Sequence, residues 1–196
     1  VRHVVAGGDA LVLMPTGAGK SLCYQIPSLV RRGVGVVVSP LIALMQDQVD
    51  ALTQLGVKAS FLNSSLDITT SQKVTSQLLA GDLDLIYVAP ERLMNPGFLT
   101  ILDRLHAGPG IALFAIDEAH CVSQWGHDFR PEYRRLREIF EMISNVPIIA
   151  LTATATPKVQ SDIVKNLSLR DPMVLISSFN RSNLYYEVQP KLKKEV

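Results

Sequence analysis

The chain has 196 residues, 47% of them hydrophobic, and a formal net charge of +1. That is enough apolar material for one sizeable core, and the charge balance gives no global basic field, so any contact with nucleic acid has to be local. No apolar run approaches the ~18 residues of a membrane span and no signal segment opens the chain, while Cys23 and Cys121, without paired metal-ligand spacing, fit a reducing compartment. The expectation is a soluble, cytosolic chain with no membrane contact. The opening, VRHVVAGGDALVLM, reaches a strand almost at once, as though an upstream segment were missing. Strands are predicted at Ala10–Met14, Gly35–Ser39, Ala59–Leu62, Leu83–Val88, Ile111–Ile116, Pro147–Leu151 and Met173–Ile176. Helices are predicted between them at Lys20–Arg31, Leu41–Leu55, Thr69–Ala80, Gly97–Leu105, Pro131–Ser144 and Pro157–Leu167. Short β-branched runs alternating with longer amphipathic segments are the pattern of βαβ units. Several strands are apolar throughout, as when helices cover both faces of a parallel sheet. The predicted class is therefore α/β, a three-layer fold with a mostly parallel central sheet. After Leu184 the tail turns polar and basic and reads as a linker or the start of another domain.

MPTGAGKSLCYQIP follows the first strand and opens a helix. Glycines 17 and 19 let successive backbone N–H groups turn inward on an anion, and the helix N-terminus adds its positive dipole end. Thr16, Gly17, Ala18, Gly19, Lys20 and Ser21 form the cradle. Lys20 is placed to reach the β- and γ-phosphates of a nucleoside triphosphate, and Ser21 to help hold Mg²⁺. The strict phosphate-loop pattern fails only at its first position, where Met14 stands. Such a loop alone is shared by kinases, GTPases, transporters and motors.

Asp117 and Glu118 end the fifth predicted strand, at the carboxyl edge where parallel sheets present ligands. Asp117 suits Mg²⁺ directly or through water, and Glu118 suits activation of an attacking water. The segment from His120 to Tyr133, HCVSQWGHDFRPEY, admits three readings: a metal site, a packing turn around Trp125 and Phe129, or a nucleic-acid contact. Zinc lacks a second pair of ligands beside His120, Cys121 and His127. The aromatics are interleaved with Gln124, Gly126, His127, Asp128 and Arg130, a poor composition for a dry core. That mixture suits aromatic faces stacking on bases, with Arg130 meeting phosphate or a facing lobe. Thr152 and Thr154 of ALTATAT put hydroxyls at the next strand end, either as a plain strand exit or as a relay sensing the Asp117–His120 turn.

Taken together with VVSPLIALMQDQV and LIYVAPERL, and with FNRSNLYYEV beyond the last strand, these motifs resemble the DExH-box branch of superfamily 2 helicases, and specifically the RecQ family. The resemblance covers nearly the whole chain, and its most specific element is HCVSQWGHDFRPEY. It implies an ATP-driven, 3′-to-5′ DNA-unwinding motor made of two RecA-like lobes, located in the bacterial cytoplasm at the nucleoid or in a eukaryotic nucleus. Residues 1–180 would be the first lobe and 181–196 a linker or the start of the second. On this resemblance Lys20 is the phosphate lysine, Ser21 and Asp117 are linked to Mg²⁺, and Glu118 is the hydrolytic base. His120 would couple the nucleotide side to the DNA side. Ser39, Gln48 and Arg92 would meet single-stranded or partly duplex DNA, while Gln124, Trp125, His127, Phe129 and Arg130 form the aromatic-rich coupling loop. Read from residues alone, Ser39–Gln48 is equally a capped, solvated helix start, and Arg92 equally an ion-pair or interlobe contact.

The chain departs from the family pattern in places. Nothing before Ala10 matches the family's adenine-reading segment, and Ser182 stands where a proline is usual. A second lobe with its arginine finger, and zinc-binding and winged-helix regions, lie outside these residues. A nonenzymatic nucleotide- or DNA-binding module is the alternative from another class, which the intact Lys20, Asp117 and Glu118 disfavour. A small kinase or GTPase lacks its lid or guanine-reading motif here.

Overall fold

The computed structural model describes residues 1–178, 185 and 187. Its frame is one seven-stranded sheet, β1 (Ala10–Leu13), β2 (Val34–Val38), β3 (Ala59–Leu62), β4 (Leu85–Val88), β5 (Ile111–Ile116), β6 (Ile148–Thr152) and β7 (Met173–Ile176). The spatial order is β3-β4-β2-β5-β6-β1-β7. Every recorded strand pair is parallel, so the sheet is wholly rather than mostly parallel. Helices α1 (Arg2–Val5), α2 (Leu22–Val30), α3 (Ile42–Gln54), α4 (Ile68–Ala80), α5 (Pro90–Leu93), α6 (Pro96–Ala107), α7 (Pro131–Met142) and α8 (Pro157–Asn166) complete the layers. The short α1 and α5 were not foreseen, since four residues carry too little periodicity to register.

The alternation of side chains along each strand builds two cores. Leu11, Leu13, Val36, Val38, Phe114 and Ile116 face one side, where α4, α6, α7 and α8 bring Leu78, Leu102, Leu136 and Ile163. Ala10, Val12, Val37, Leu113 and Ala115 face the other, where α1, α2 and α3 bring Val4, Tyr24, Met45 and Leu52. Burial on both sides is why the strands read as unbroken apolar runs. Strand β7 differs: it is one of the two sheet edges, and all four of its residues are exposed.

One anchor closes the sheet from below. Asp9 is 1% exposed and accepts the N–H groups of Ile148 (2.9 Å) and Arg170 (2.7 Å), with the Arg170 guanidinium beside it. It thereby ties the entry of β1 to that of β6 and to the turn before β7. The predicted linker, including Ser182, lies outside the described residues apart from Tyr185 and Glu187.

Candidate active site

The phosphate-loop candidate leaves β1 and curls before α2. Gly17 and Gly19 adopt φ of 79° and 82°, which a side chain would strain. The curl delays the helix, so α2 starts at Leu22 rather than at Lys20. Ser21 stands at its N-cap without a side-chain capping bond. Lys20 turns back and donates from Nζ to the Met14 carbonyl at 3.0 Å.

Asp117 and Glu118 sit where β5 ends. The Asp117 N–H donates to Val38 O (2.9 Å), extending the β2–β5 ladder by one residue, and Tyr133 donates its hydroxyl to Asp117 O (3.0 Å). Glu118 takes a left-handed backbone, φ 49° and ψ 44°. Such strain in a side-chain-bearing residue costs of order 1–3 kcal/mol and gathers at functional sites. The turn aims both carboxylates at the loop: Thr16, Gly17, Gly19, Lys20 and Ser21 share with Asp117 and Glu118 a cleft of about 380 Å³. Burial, and then the Glu118 charge, push the Asp117 carboxyl up to about 6. The hydrogen bond from His120 holds Glu118 below its usual range. Two adjacent carboxylates therefore have different proton affinities.

His120, 4% exposed, joins this pair to the next strand. Its Nδ1 lies 3.2 Å from Glu118 Oε2 and 3.0 Å from Thr152 Oγ1. A carboxylate only accepts, so Nδ1 carries the proton and donates to both. The Thr152 hydroxyl donates onward to Thr154 O (3.1 Å) and accepts the Thr154 N–H (3.2 Å). Thr152 is thus the buried member of this hydrogen-bond chain, whereas Thr154 joins through its backbone and its side chain is exposed. Strand β6 runs one residue later than predicted, because Pro147 has no N–H for the ladder, and this brings Thr152 beside His120.

The aromatic-rich loop folds back on the same histidine. A 3₁₀ turn, Ala119–Val122, buries Cys121, whose thiol is pushed up to about 12 by burial and then by the Asp128 charge. His127 stacks on His120 with ring centroids 4.0 Å apart. Gly126 passes so close to His120 that a Cβ would lie 2.5 Å from the His120 carbonyl oxygen. Ser123 accepts the Trp125 N–H (3.1 Å) and donates to Asp162 of α8 (2.7 Å). Trp125 is 64% exposed, with Lys158 Nζ 3.2 Å from its ring centroid, and Phe129 lies under Arg134 at 5.1 Å. Gln124 is exposed, and Arg130 pairs with Asp128 at 3.2 Å.

The three residues expected on single-stranded DNA separate. Arg92 lines a groove of about 470 Å³ with Arg130, Pro40 and Asn95, and its guanidinium donates to Ser71 Oγ at 2.7 Å. Ser39 and Gln48 instead line the cleft of Lys20 and Asp117, because β2 delivers Ser39 at the register beside Asp117 and one face of α3 turns inward there. Sequence reasoning also missed Tyr24, Tyr87 and Gln25. The Gln25 side chain donates to Gln48 Oε1 (2.9 Å), and the two phenol oxygens lie 3.3 Å apart. It missed Lys158 and Arg134 too. A cation at Lys158 opposes the helix dipole in the first turn of α8, which was a readable sign of another partner.

Comparison with known proteins fits this geometry. The sequence profile of DEAD/DEAH box helicases matches residues 1–163. The chain belongs to the DEAD/DEAH box helicase family. It is 48% identical over 193 residues to the ATP-dependent DNA helicase RecQ of Pasteurella multocida, covering 98% of this chain and 30% of that protein. It is 45% identical over 201 residues to the ATP-dependent helicase SGS1 of Saccharomyces cerevisiae, covering 100% of this chain and 14% of that one. The RecQ-like DNA helicase BLM of Xenopus laevis is 45% identical over 199 residues, with 100% of this chain and 15% of that protein covered. This member of the helicase family thus spans less than a third of each of these relatives. Among solved structures, the DUF1998 helicase MrfA bound to DNA and AMPPNP superimposes with a TM-score of 0.71 at 21% identity, covering 90% of this chain and 26% of that one. The Hef helicase domain of Pyrococcus furiosus gives 0.63 at 20% identity, covering 91% and 36%. Both share the fold.

Proposed function

We propose that residues 1–180 are the first RecA-like lobe of a RecQ-type, ATP-dependent DNA helicase, and that the residues from 181 lead toward a second lobe. The single observation that carries this reading is the continuous path Glu118–His120–His127. It joins the cleft of Lys20 and Asp117 to an exposed aromatic loop within three side chains. Two relatives named DNA helicases, at 48% and 45% identity, support DNA as the polymer.

In this reading the loop Thr16–Ser21 wraps the triphosphate with backbone N–H groups, and Lys20 releases the Met14 carbonyl to pair with phosphate oxygens. Magnesium fits the donors present: Asp117 is a desolvated carboxylate, and Ser21 spends no hydroxyl on capping. Magnesium prefers few protein ligands and keeps several waters. Bound there, it would neutralise charge on the transferring phosphoryl group. Glu118, held ionised by His120, would orient and deprotonate the attacking water. His120 carries the state of that carboxylate through His127 to the loop, with Thr152 holding the His120 ring. Trp125 and Phe129 would stack on bases, with Arg130 and Arg92 on the phosphate backbone.

Phosphoryl-transfer sites of this type draw about 10³–10⁵ of their rate from an arginine finger, which the family supplies from its second lobe. This chain alone should bind magnesium-ATP but turn it over slowly and unwind nothing. The deciding experiment titrates magnesium-ATP and single-stranded DNA against this chain and against one extended by a second lobe. DNA-stimulated hydrolysis confined to the extended protein is expected. Nucleotide binding with no response to the single strand in either would contradict the motor reading.

A further inference from the structure

Among the described residues one buried side-chain polar atom has no hydrogen-bond partner, the hydroxyl of Ser39. Buried hydroxyls are nearly always satisfied, because a lost hydrogen bond to water is not otherwise recovered. An orphan of this kind asks for a ligand. Its location says which.

Ser39 is 2% exposed and follows the last residue of β2. Its N–H is spent on Val88 O of β4, at 3.2 Å. Val38 pairs with Ile116 in the β2–β5 ladder, so Ser39 and Asp117 are the next pair across it. Neighbours at one register on parallel strands lie about 4.8 Å apart and point to the same face. Ser39 and Asp117 line the same cleft as Lys20 and Ser21. The Asp117 side chain accepts the N–H of Glu118 and takes nothing from Ser39. The nearby polar groups are also engaged: Tyr24 with Tyr87, and Gln25 with Gln48 and Tyr87.

We infer that Ser39 is a positioning residue of the nucleotide cleft, its hydroxyl holding a water of the divalent cation's hydration shell beside Asp117. This rests on the proposed magnesium-nucleotide reading and adds to it a donor from β2, a segment assigned above to DNA by resemblance. The spacing suits an intervening water: the two side chains are register neighbours and yet share no direct bond. A hydrated cation that keeps most of its waters needs such outer partners. Ser39 touches neither phosphate nor the reacting atoms in this scheme. It acts through the water.

The test is binding of a fluorescent ADP analogue to the 196-residue chain, with magnesium and again with the metal chelated, for wild type, Ser39→Ala and Lys20→Ala. In Ser39→Ala the tightening produced by magnesium should shrink by about tenfold, the scale of one charge-assisted hydrogen bond, with metal-free affinity unchanged. The melting temperature of the nucleotide-free variant should hold or rise, since an unsatisfied hydroxyl has been removed. Unchanged magnesium dependence, equal loss with and without metal, or a fall in melting temperature would each overturn the assignment. Loss of oligonucleotide binding with the magnesium effect intact would return Ser39 to the DNA face. Wild-type chain that binds no nucleotide, or Lys20→Ala that binds it as well as wild type, would refute the underlying reading instead.

Discussion

Lys158 holds its ammonium 3.2 Å from the centroid of the Trp125 ring, joining the start of α8 to the tip of the aromatic loop. Trp125 is the only tryptophan in the chain, so its fluorescence reports on this contact alone. A single-stranded oligonucleotide that stacks on the indole should quench that emission. Lys158→Met should weaken oligonucleotide binding severalfold and lower the salt slope by about one, as for one lost phosphate contact. A fluorescence titration at several salt concentrations measures both. Unchanged affinity and slope would leave Lys158 as a packing partner only.

Thr152 holds together the turn between carboxylates and loop. It is fully buried, and its hydroxyl meets His120 Nδ1 and both backbone groups of Thr154. Thr152→Val keeps the volume and removes those bonds. Urea denaturation should show a loss of about 1–3 kcal/mol, the cost of orphaned buried polar groups. Thr154→Val replaces an exposed hydroxyl by a methyl group and should change stability by less than about 0.5 kcal/mol.

Asp117 gives a pH signature. Its folded value is raised, to about 6 from the ordinary 3.8. Its stabilising contribution is therefore complete below about pH 4 and is lost as pH rises through about 6. At pH 7.5 the ionised, desolvated carboxylate costs the ligand-free fold on the order of 2–3 kcal/mol. Asp117→Asn should accordingly melt higher than wild type at pH 7.5, and the gain should vanish near pH 4. Thermal melts at the two pH values decide it, and a gain of equal size at both would contradict the desolvation account.

Gly126 tests how tightly the loop is seated. A Cβ there meets the His120 carbonyl oxygen at 2.5 Å, so Gly126→Ala must push the loop outward. The Trp125 emission should shift as the indole leaves Lys158, and the response to oligonucleotide should fall. An unchanged spectrum would mean that the loop yields without moving Trp125.

Much of this was readable in the sequence, for physical reasons. Short apolar runs between turn residues mark the strands, and β3, β5 and β7 fall on the residues predicted for them, although of these only β5 is buried on both faces. The phosphate-loop candidate was legible because glycine spacing, lysine and hydroxyl act locally. The acidic pair was legible because it ends a strand. Relations across the sheet were not. The side-by-side register of Ser39 and Asp117 depends on β2 pairing with β5, and the grip of Lys158 on Trp125 depends on how α8 packs.

The proposed coupling between the cleft and the aromatic loop is measured directly by linkage. The affinity of a fluorescent ATP analogue, with magnesium present, should be measured with and without saturating single-stranded oligonucleotide on the second-lobe-extended protein. The oligonucleotide is expected to change nucleotide affinity, nucleotide to change oligonucleotide affinity by the same factor, and Trp125→Ala to drive this factor toward one. Identical nucleotide affinity in the presence and absence of bound oligonucleotide would contradict it.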